Sequence, residues 1–169
     1  MKPVRVSLRI PTPDGEFTAH YSEKGLADLD FPKAKKAGRC ATNTHPVSLL
    51  IRTWHGTTVA ALKKLLQGEK PVALPPLDWG GKTEFQKQVW RVMVKIPRGK
   101  TLSYGEIAAA IGRPKASRAV GGACGANPIP VLVPCHRVLA ANQRIGGFSG
   151  GLEWKRRLLA REGVTHFRL

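Results

Sequence analysis

Cysteine is scarce in these 169 residues: Cys40, Cys124 and Cys135 are all there is. Three is too few, and an odd count, for a disulfide framework. No CxxC pair occurs, so a structural zinc site has little support. Cys40 and His45 are close in sequence, but two candidate ligands do not make a site, and no metal is expected. Long hydrophobic runs are missing too, although 42% of the residues are apolar. No stretch of about eighteen apolar residues could cross a membrane as a helix. The opening "MKPVRVSLRIPTPDG" lacks the apolar core and cleavage site of a secretory signal. The expectation is a soluble protein of the cytoplasm, or of the nucleus in a eukaryote.

Acidic residues are the third shortage. Eleven Asp and Glu face twenty-eight Lys and Arg, a net charge of +17. The excess is uneven: residues 1–81 carry +5 and residues 82–169 carry +12. Such a surface attracts a polyanion, with nucleic acid the leading candidate. No basic amphipathic helix with a broad apolar face points to a membrane surface.

The residues that are present fall into two parts. "VRVSLRI" (4–10) alternates with strand period, "PTPDG" supplies a turn, and "EFTAHYS" and "LADLDF" read as further strands. "KAKKAGRCATNTHP" reads as a basic loop. A helix is expected over about 57–67, capped by Thr57 or Thr58 and stopped at Gly68. "EKPVALPPLDWGGK", rich in Pro and Gly, reads as a linker. The division is an N-terminal α+β domain (1–75), a linker (76–82) and a mainly helical C-terminal domain (83–169).

In that second part, "TEFQKQVWRVMVKI" places Phe85, Val89, Trp90, Met93 and Ile96 on one helical face. "SYGEIAAAIG" follows, with Ser103 and Glu106 as a capping box and Gly112 as the stop. "ASRAVGGACGAN" forms a third helix, so a helix-turn-helix is expected. This third helix contains Gly121, Gly122 and Gly125, each costing about 1 kcal/mol against Ala. Either it packs closely against a neighbouring element, or its smooth face approaches another surface such as a DNA groove. Arg118 is its reaching side chain. "IPVLVPCHRVLA" reads as a short apolar strand, "ANQRIGGFSGG" as a Gly-rich loop. "LEWKRRLLAREG" reads as a last helix with Leu152, Leu158 and Leu159 inward and its basic residues outward.

Cys135 and His136 are adjacent. A thiol is nucleophilic as thiolate, and imidazole is its usual partner. Neighbours on a strand point to opposite faces. Either the chain turns sharply at Cys135, or a water bridges the two side chains. Glu162 is a candidate to orient His136.

"SRAVGGACGANP", "IPVLVPCHRV" and "GGFSGGLEWKRRLLAREG" together resemble the O6-alkylguanine-DNA alkyltransferases, over about 83–163. The core of the resemblance is Pro-Cys-His-Arg-Val with Asn127 eight residues before the cysteine. It implies a ribonuclease-H-like α+β N-terminal layout and a winged helix-turn-helix-like C-terminal domain. It implies a single-turnover methyltransferase that flips O6-alkylguanine, and less well O4-alkylthymine, out of duplex DNA. The alkyl group passes irreversibly to Cys135, with no external cofactor. By the same resemblance His136 is a water-mediated base oriented by Glu162, Asn127 braces the active-site turn, and Tyr104 donates to the guanine. Arg118 fills the gap left by the flipped base. Ala119, Gly121 and Gly122 face a DNA minor groove. Ser149, Val138, Cys124, Pro130 and Phe148 belong to the substrate pocket. Arg137 is expected to support structure rather than chemistry, and the protein to act as a monomer. The family's usual loop tyrosine is Phe148 here, and Cys124 stands where some relatives have a bulkier apolar residue. A DNA-binding or lesion-sensing protein without transfer is one rival, and a Cys-His hydrolase is another.

Overall fold

A computed structural model of the chain describes residues 6–32 and 47–168. The first residues of the strand read at 4–10 lie outside it. So does the basic loop with Cys40 and His45.

Alternation builds the N-terminal sheet. Strands β1 (Val6–Thr12) and β2 (Gly15–Ser22) form an antiparallel hairpin that sets Ile10 opposite Phe17 and Leu8 opposite Ala19. Strand β3 (Gly25–Asp30) pairs antiparallel with β2, giving the order β1-β2-β3. Ile10, Phe17, Ala19, Tyr21 and Leu26 are fully buried. Helix α1 (Leu49–Leu66) packs against β1 and β3 and contributes Leu62 to the same core.

Helix α1 begins eight residues before the expected start. Ser48 is its N-cap, accepting from the Ile51 amide at 3.3 Å. The two threonines expected as caps bond backwards instead, Thr57 to the Thr53 carbonyl and Thr58 to the Trp54 carbonyl. A Ser or Thr hydroxyl satisfied by the preceding turn is compatible with a helix interior, which sequence alone does not distinguish from a cap. Gly68, with φ +72°, follows the helix as expected.

The Pro-rich segment read as a linker is pinned to the sheet. Leu26 N–H donates to Pro76 O, and Asp78 N–H to Leu26 O, both at 2.8 Å. Helix α2 (Glu84–Lys95) then starts with a capping box between Thr83 and Gln86 and buries Val89, Trp90 and Met93. The Trp90 indole donates to Ala123 O at 2.9 Å, fixing α2 to the later helix α4 (Ser117–Gly125). Before α4 come the two-residue strand β4 (Leu102–Ser103) and helix α3 (Tyr104–Ala110), opened by the expected Ser103–Glu106 capping box. Gly112, at φ +73°, turns the chain between α3 and α4. The helix-turn-helix is present, with α2 packed on both helices.

"IPVLVPCHRVLA" is not a strand along its length. Only β5 (Val138–Leu139) is, and it pairs in parallel with β4, Leu102 opposite Val138. The rest is a series of tight turns ending in a 3-10 turn at Cys135–Arg137. The run is apolar because it is buried on all sides, and periodicity cannot separate that from a strand. The last helix, α5 (Leu152–Arg161), also departs from expectation. Leu152 is 42% exposed, whereas Lys155 is fully buried with Leu158 and Leu159.

Candidate active site

The turns before Cys135 explain how its thiol is presented. Asn127 organises them: its Oδ1 accepts from Ile129 N–H at 3.1 Å and its Nδ2 donates to Val133 O at 2.9 Å. Val131 is forced to φ +73°, a costly conformation for a β-branched residue. Pro134, at φ −77° and ψ 66°, is the centre of an inverse γ-turn closed by Cys135 N–H on Val133 O at 2.8 Å. The sharp turn left open by the sequence is therefore real. It carries Cys135 to a cavity of about 260 Å³ lined also by Tyr104, Gly121, Cys124, Gly125, Gly147, Phe148 and Ser149.

The pairing of β4 with β5 brings the opposite wall. It places the start of α3, and so Tyr104, beside the segment that follows Cys135. Gly121 of α4 lies against the Tyr104 ring, where an added Cβ would sit 3.7 Å from it. Two expected pocket residues sit behind the wall. Val138 is buried and offers its carbonyl to Lys155, and Pro130 lines a neighbouring cavity with Ser149 and Gly150. On the outer face of α4, Arg118, Ala119 and Gly122 are exposed, and a Cβ at Gly122 or Gly125 would meet nothing within 4 Å. That face is open, so close packing explains Gly121 but not Gly122 or Gly125.

Electrostatics keeps the resting thiol neutral. Burial pushes Cys135 up to about 11, against the lowering effects of the Asn127 side-chain bond and the Lys155 charge. Asn127 Nδ2 lies 3.3 Å from Cys135 Sγ. Cys124, on the same cavity, is pushed up to about 12 by burial and then by Cys135. Burial, followed by the two thiols, also raises Tyr104, so its hydroxyl stays protonated near neutral pH.

His136 and Glu162 meet as expected. His136 Nε2 donates to Glu162 Oε1 at 2.9 Å, and both side chains are buried. Arg137 grips the same carboxylate, Nε to Oε2 at 3.0 Å and Nη2 to Oε1 at 2.8 Å, and donates Nη1 to Ile96 O at 2.6 Å. Burial alone would raise Glu162, but the bonds from His136 and Arg137 outweigh it and hold the carboxyl at about 2. Burial lowers His136, against the opposing pull of Glu162. A neutral ring donating through Nε2 keeps its lone pair on Nδ1. Nδ1 is buried and has no hydrogen-bond partner, so it makes no direct bond to the Cys135 thiol.

Lys155 was missed by the sequence reading, which put the basic residues of the last helix outward. It is fully buried, donating to Val138 O at 2.6 Å and Gly147 O at 3.3 Å, so it joins β5 to the cavity loop. Burial lowers it to about 8, with the two thiols pulling it back up. A signal existed: Lys155, Leu158, Leu159 and Glu162 fall at i, i+3, i+4 and i+7, one helical stripe. Among the described residues no group of three or more His, Cys, Asp or Glu could hold a metal ion. No helix among them is long and apolar enough to cross a membrane.

Fold and site together define a class: a helix-turn-helix protein with a cysteine on the floor of a side cavity, backed by a buried His–Glu–Arg cluster. Residues 84–164 match the family profile described as 6-O-methylguanine DNA methyltransferase, DNA binding domain. A methylated-DNA–protein-cysteine methyltransferase from Shigella flexneri is 37% identical over 145 residues, 85% of this chain and 78% of that one. One from Methanosarcina acetivorans is 57% identical over 81 residues, covering 48% of this chain and 52% of that protein. The match thus spans about half the length of that relative. The solved structure of Mycobacterium tuberculosis OGT in complex with DNA superposes with a TM-score of 0.70 at 37% identity, covering 91% of this chain and 90% of that one. The chain belongs to the 6-O-methylguanine DNA methyltransferase family.

Proposed function

We propose that this protein repairs duplex DNA by moving the alkyl group of O6-alkylguanine, and less readily of O4-alkylthymine, to its own Cys135. The observation that carries the reading is the placement of Cys135 on a cavity of about 260 Å³, its Sγ bonded to Asn127 and the cavity walled by Tyr104 and Ser149. An O6 adduct in a stacked duplex cannot reach such a floor, so the nucleotide must be flipped out. The exposed, small-residue face of α4 fits a minor groove, with Arg118 free to fill the gap left in the stack. Residues 83–169 would carry the chemistry, and residues 1–75 would support it.

The thiol proton leaves through a bridging water to His136 Nδ1, with Glu162 holding the ring. The thiolate attacks the alkyl carbon; the S–C bond forms and the C–O6 bond breaks. The electron pair of the broken bond stays on the guanine, whose developing charge is met by a proton from the Tyr104 hydroxyl. Solvent restores the Tyr104 proton and takes up the one left on His136, so overall the thiol hydrogen has replaced the alkyl group on guanine. The thioether is stable, and one protein repairs one lesion. Lys/Arg contacts to phosphate predict affinity that falls steeply with salt.

The test is to mix the full chain with a duplex carrying O6-methylguanine and map its peptides by mass. One methyl on Cys135, stoichiometric and without turnover, is expected. An unmodified Cys135 beside intact lesion would falsify the reading, and an unmodified but tightly bound complex would favour a lesion-sensing protein.

A further inference from the structure

The end of β3 and the residue that follows it touch two segments beside the Cys135 cavity. On one side Leu29 N–H donates to Pro128 O at 2.9 Å. Pro128 follows Asn127, the residue bonded to Cys135 Sγ. On the other side the Phe31 ring meets Phe148 edge-on, with centroids 5.6 Å apart, and Trp154 at 5.0 Å. Phe17, fully buried, backs Phe31 at 5.5 Å. Phe148 and Ser149 line the cavity, and Phe31 does not. The approach is closest at Gly150, where a Cβ would lie 2.6 Å from the Phe31 ring. Gly150 is not in the left-handed region, so this contact rather than its backbone conformation demands glycine.

Among the described residues, the loop of residues 146–150 has few hydrogen-bonded anchors. Lys155 reaches Gly147 O, and Gly151 N–H closes back on Phe148 O at 3.0 Å. Gly147 and Ser149 are exposed. The Phe31 ring is a large rigid surface against which this loop rests, at Phe148 and Gly150. We propose that Phe31 is a positioning residue for alkyl transfer, setting Phe148 and Ser149 against the cavity, so that the N-terminal region governs the transfer step as well as the fold. This rests on Cys135 being the alkyl acceptor. Phe31 acts only through the loop, so its loss should slow transfer without weakening the grip on DNA, which lies on α4.

Single-turnover transfer from an O6-methylguanine duplex tests this with the full chain. Phe31→Ala should lower the rate at saturating DNA by roughly ten- to a hundredfold, since a misplacement of about 1 Å can cost about 100-fold. The half-saturating DNA concentration should stay within about twofold, and Phe31→Tyr, which keeps the ring, should recover most of the rate. Gly150→Ala drives a methyl into the ring and should also slow transfer. Because the two residues share one contact, the Phe31→Ala/Gly150→Ala double variant should react faster than Gly150→Ala alone. A structural defect would make the losses add. An unchanged saturating rate in Phe31→Ala, a loss confined to DNA affinity, or simple addition overturns the role. If Phe31→Ala fails to melt cooperatively, Phe31→Leu with and without Gly150→Ala decides in its place. Wild-type protein that leaves Cys135 unmodified would overturn the parent reading and this one with it. Wild-type transfer with unaffected variants overturns this one alone.

Discussion

Around β1, β2 and α1 the interior is apolar: Ile10, Phe17, Ala19 and Leu62 are fully buried, and the charged residues of that region stay at its rim. Around Cys135 the interior holds charged and titratable side chains as well: His136, Arg137, Lys155 and Glu162 are all buried. Apolar burial stabilises in proportion to area. A buried ion cluster gives little net stability, because desolvation offsets attraction, but breaking it leaves an uncompensated charge. The first region's buried residues hold the fold together; the second's hold a thiol, an imidazole and a loop in fixed relation.

The strongest way to sharpen this contrast is Glu162→Gln. Arg137 would lose its carboxylate and His136 its orienting acceptor. Stability should drop by about 3–5 kcal/mol, as when one partner of a buried pair is removed. Transfer to Cys135 should slow in the fraction that stays folded, read by urea melts beside single-turnover rates. Leu62→Ala is the apolar counterpart. It should cost about 2–5 kcal/mol, yet leave the saturating transfer rate of the folded protein unchanged. A slowed rate there would break the comparison.

Acid separates the regions next. Glu162 titrates at about 2 when folded against 4.5 otherwise. Between those values the unfolded chain binds the extra proton, so stability is full above about 4.5 and falls as pH drops toward 2. Glu162→Gln should flatten that slope in acid melts. Transfer by wild type should hold level near neutrality and decline only as His136 protonates, below the ordinary 6.5. A rate that instead climbed toward pH 11, where burial places the ionisation of the unassisted Cys135 thiol, would mean that His136 is not the base.

The smallest effect is expected where the regions meet. Asp14, in the β1–β2 turn, holds Arg161 of α5 through both guanidinium nitrogens, at 2.7 and 2.8 Å, and also pairs with Arg157. Arg161 itself donates to Leu66 O at 2.8 Å. Both arginines are partly exposed, so Asp14→Asn should cost only about 1 kcal/mol. A larger loss, or a transfer defect, would make this junction more than a tie.

Much of the architecture was legible because it is local. β1 and β2 alternate apolar and polar residues, and Ser103 with Glu106 marks the start of α3 in four residues. What misled was local too: Thr57 and Thr58 are good caps in isolation, and only Ser48 and the sheet beneath α1 decide otherwise. Lys155 was lost because a lysine on a surface helix is normally solvated. Its burial depends on two distant carbonyls, of Val138 and Gly147, that no local pattern announces.

By itself the sequence determined the chemistry on offer: a thiol beside an imidazole, an asparagine eight residues earlier, a smooth helix and a strongly basic second half. Residue type and short spacing suffice for that. The tertiary structure decided the relations. It turned an apparent strand into a γ-turn and a 3-10 turn, set Glu162 on His136, buried Lys155 and laid Phe31 on the cavity loop. The Glu162–His136 and Phe31–Phe148 contacts join residues 26 and 117 positions apart in the chain. Their partners are chosen by which surfaces the packed elements bring together, and spacing along the sequence does not encode that.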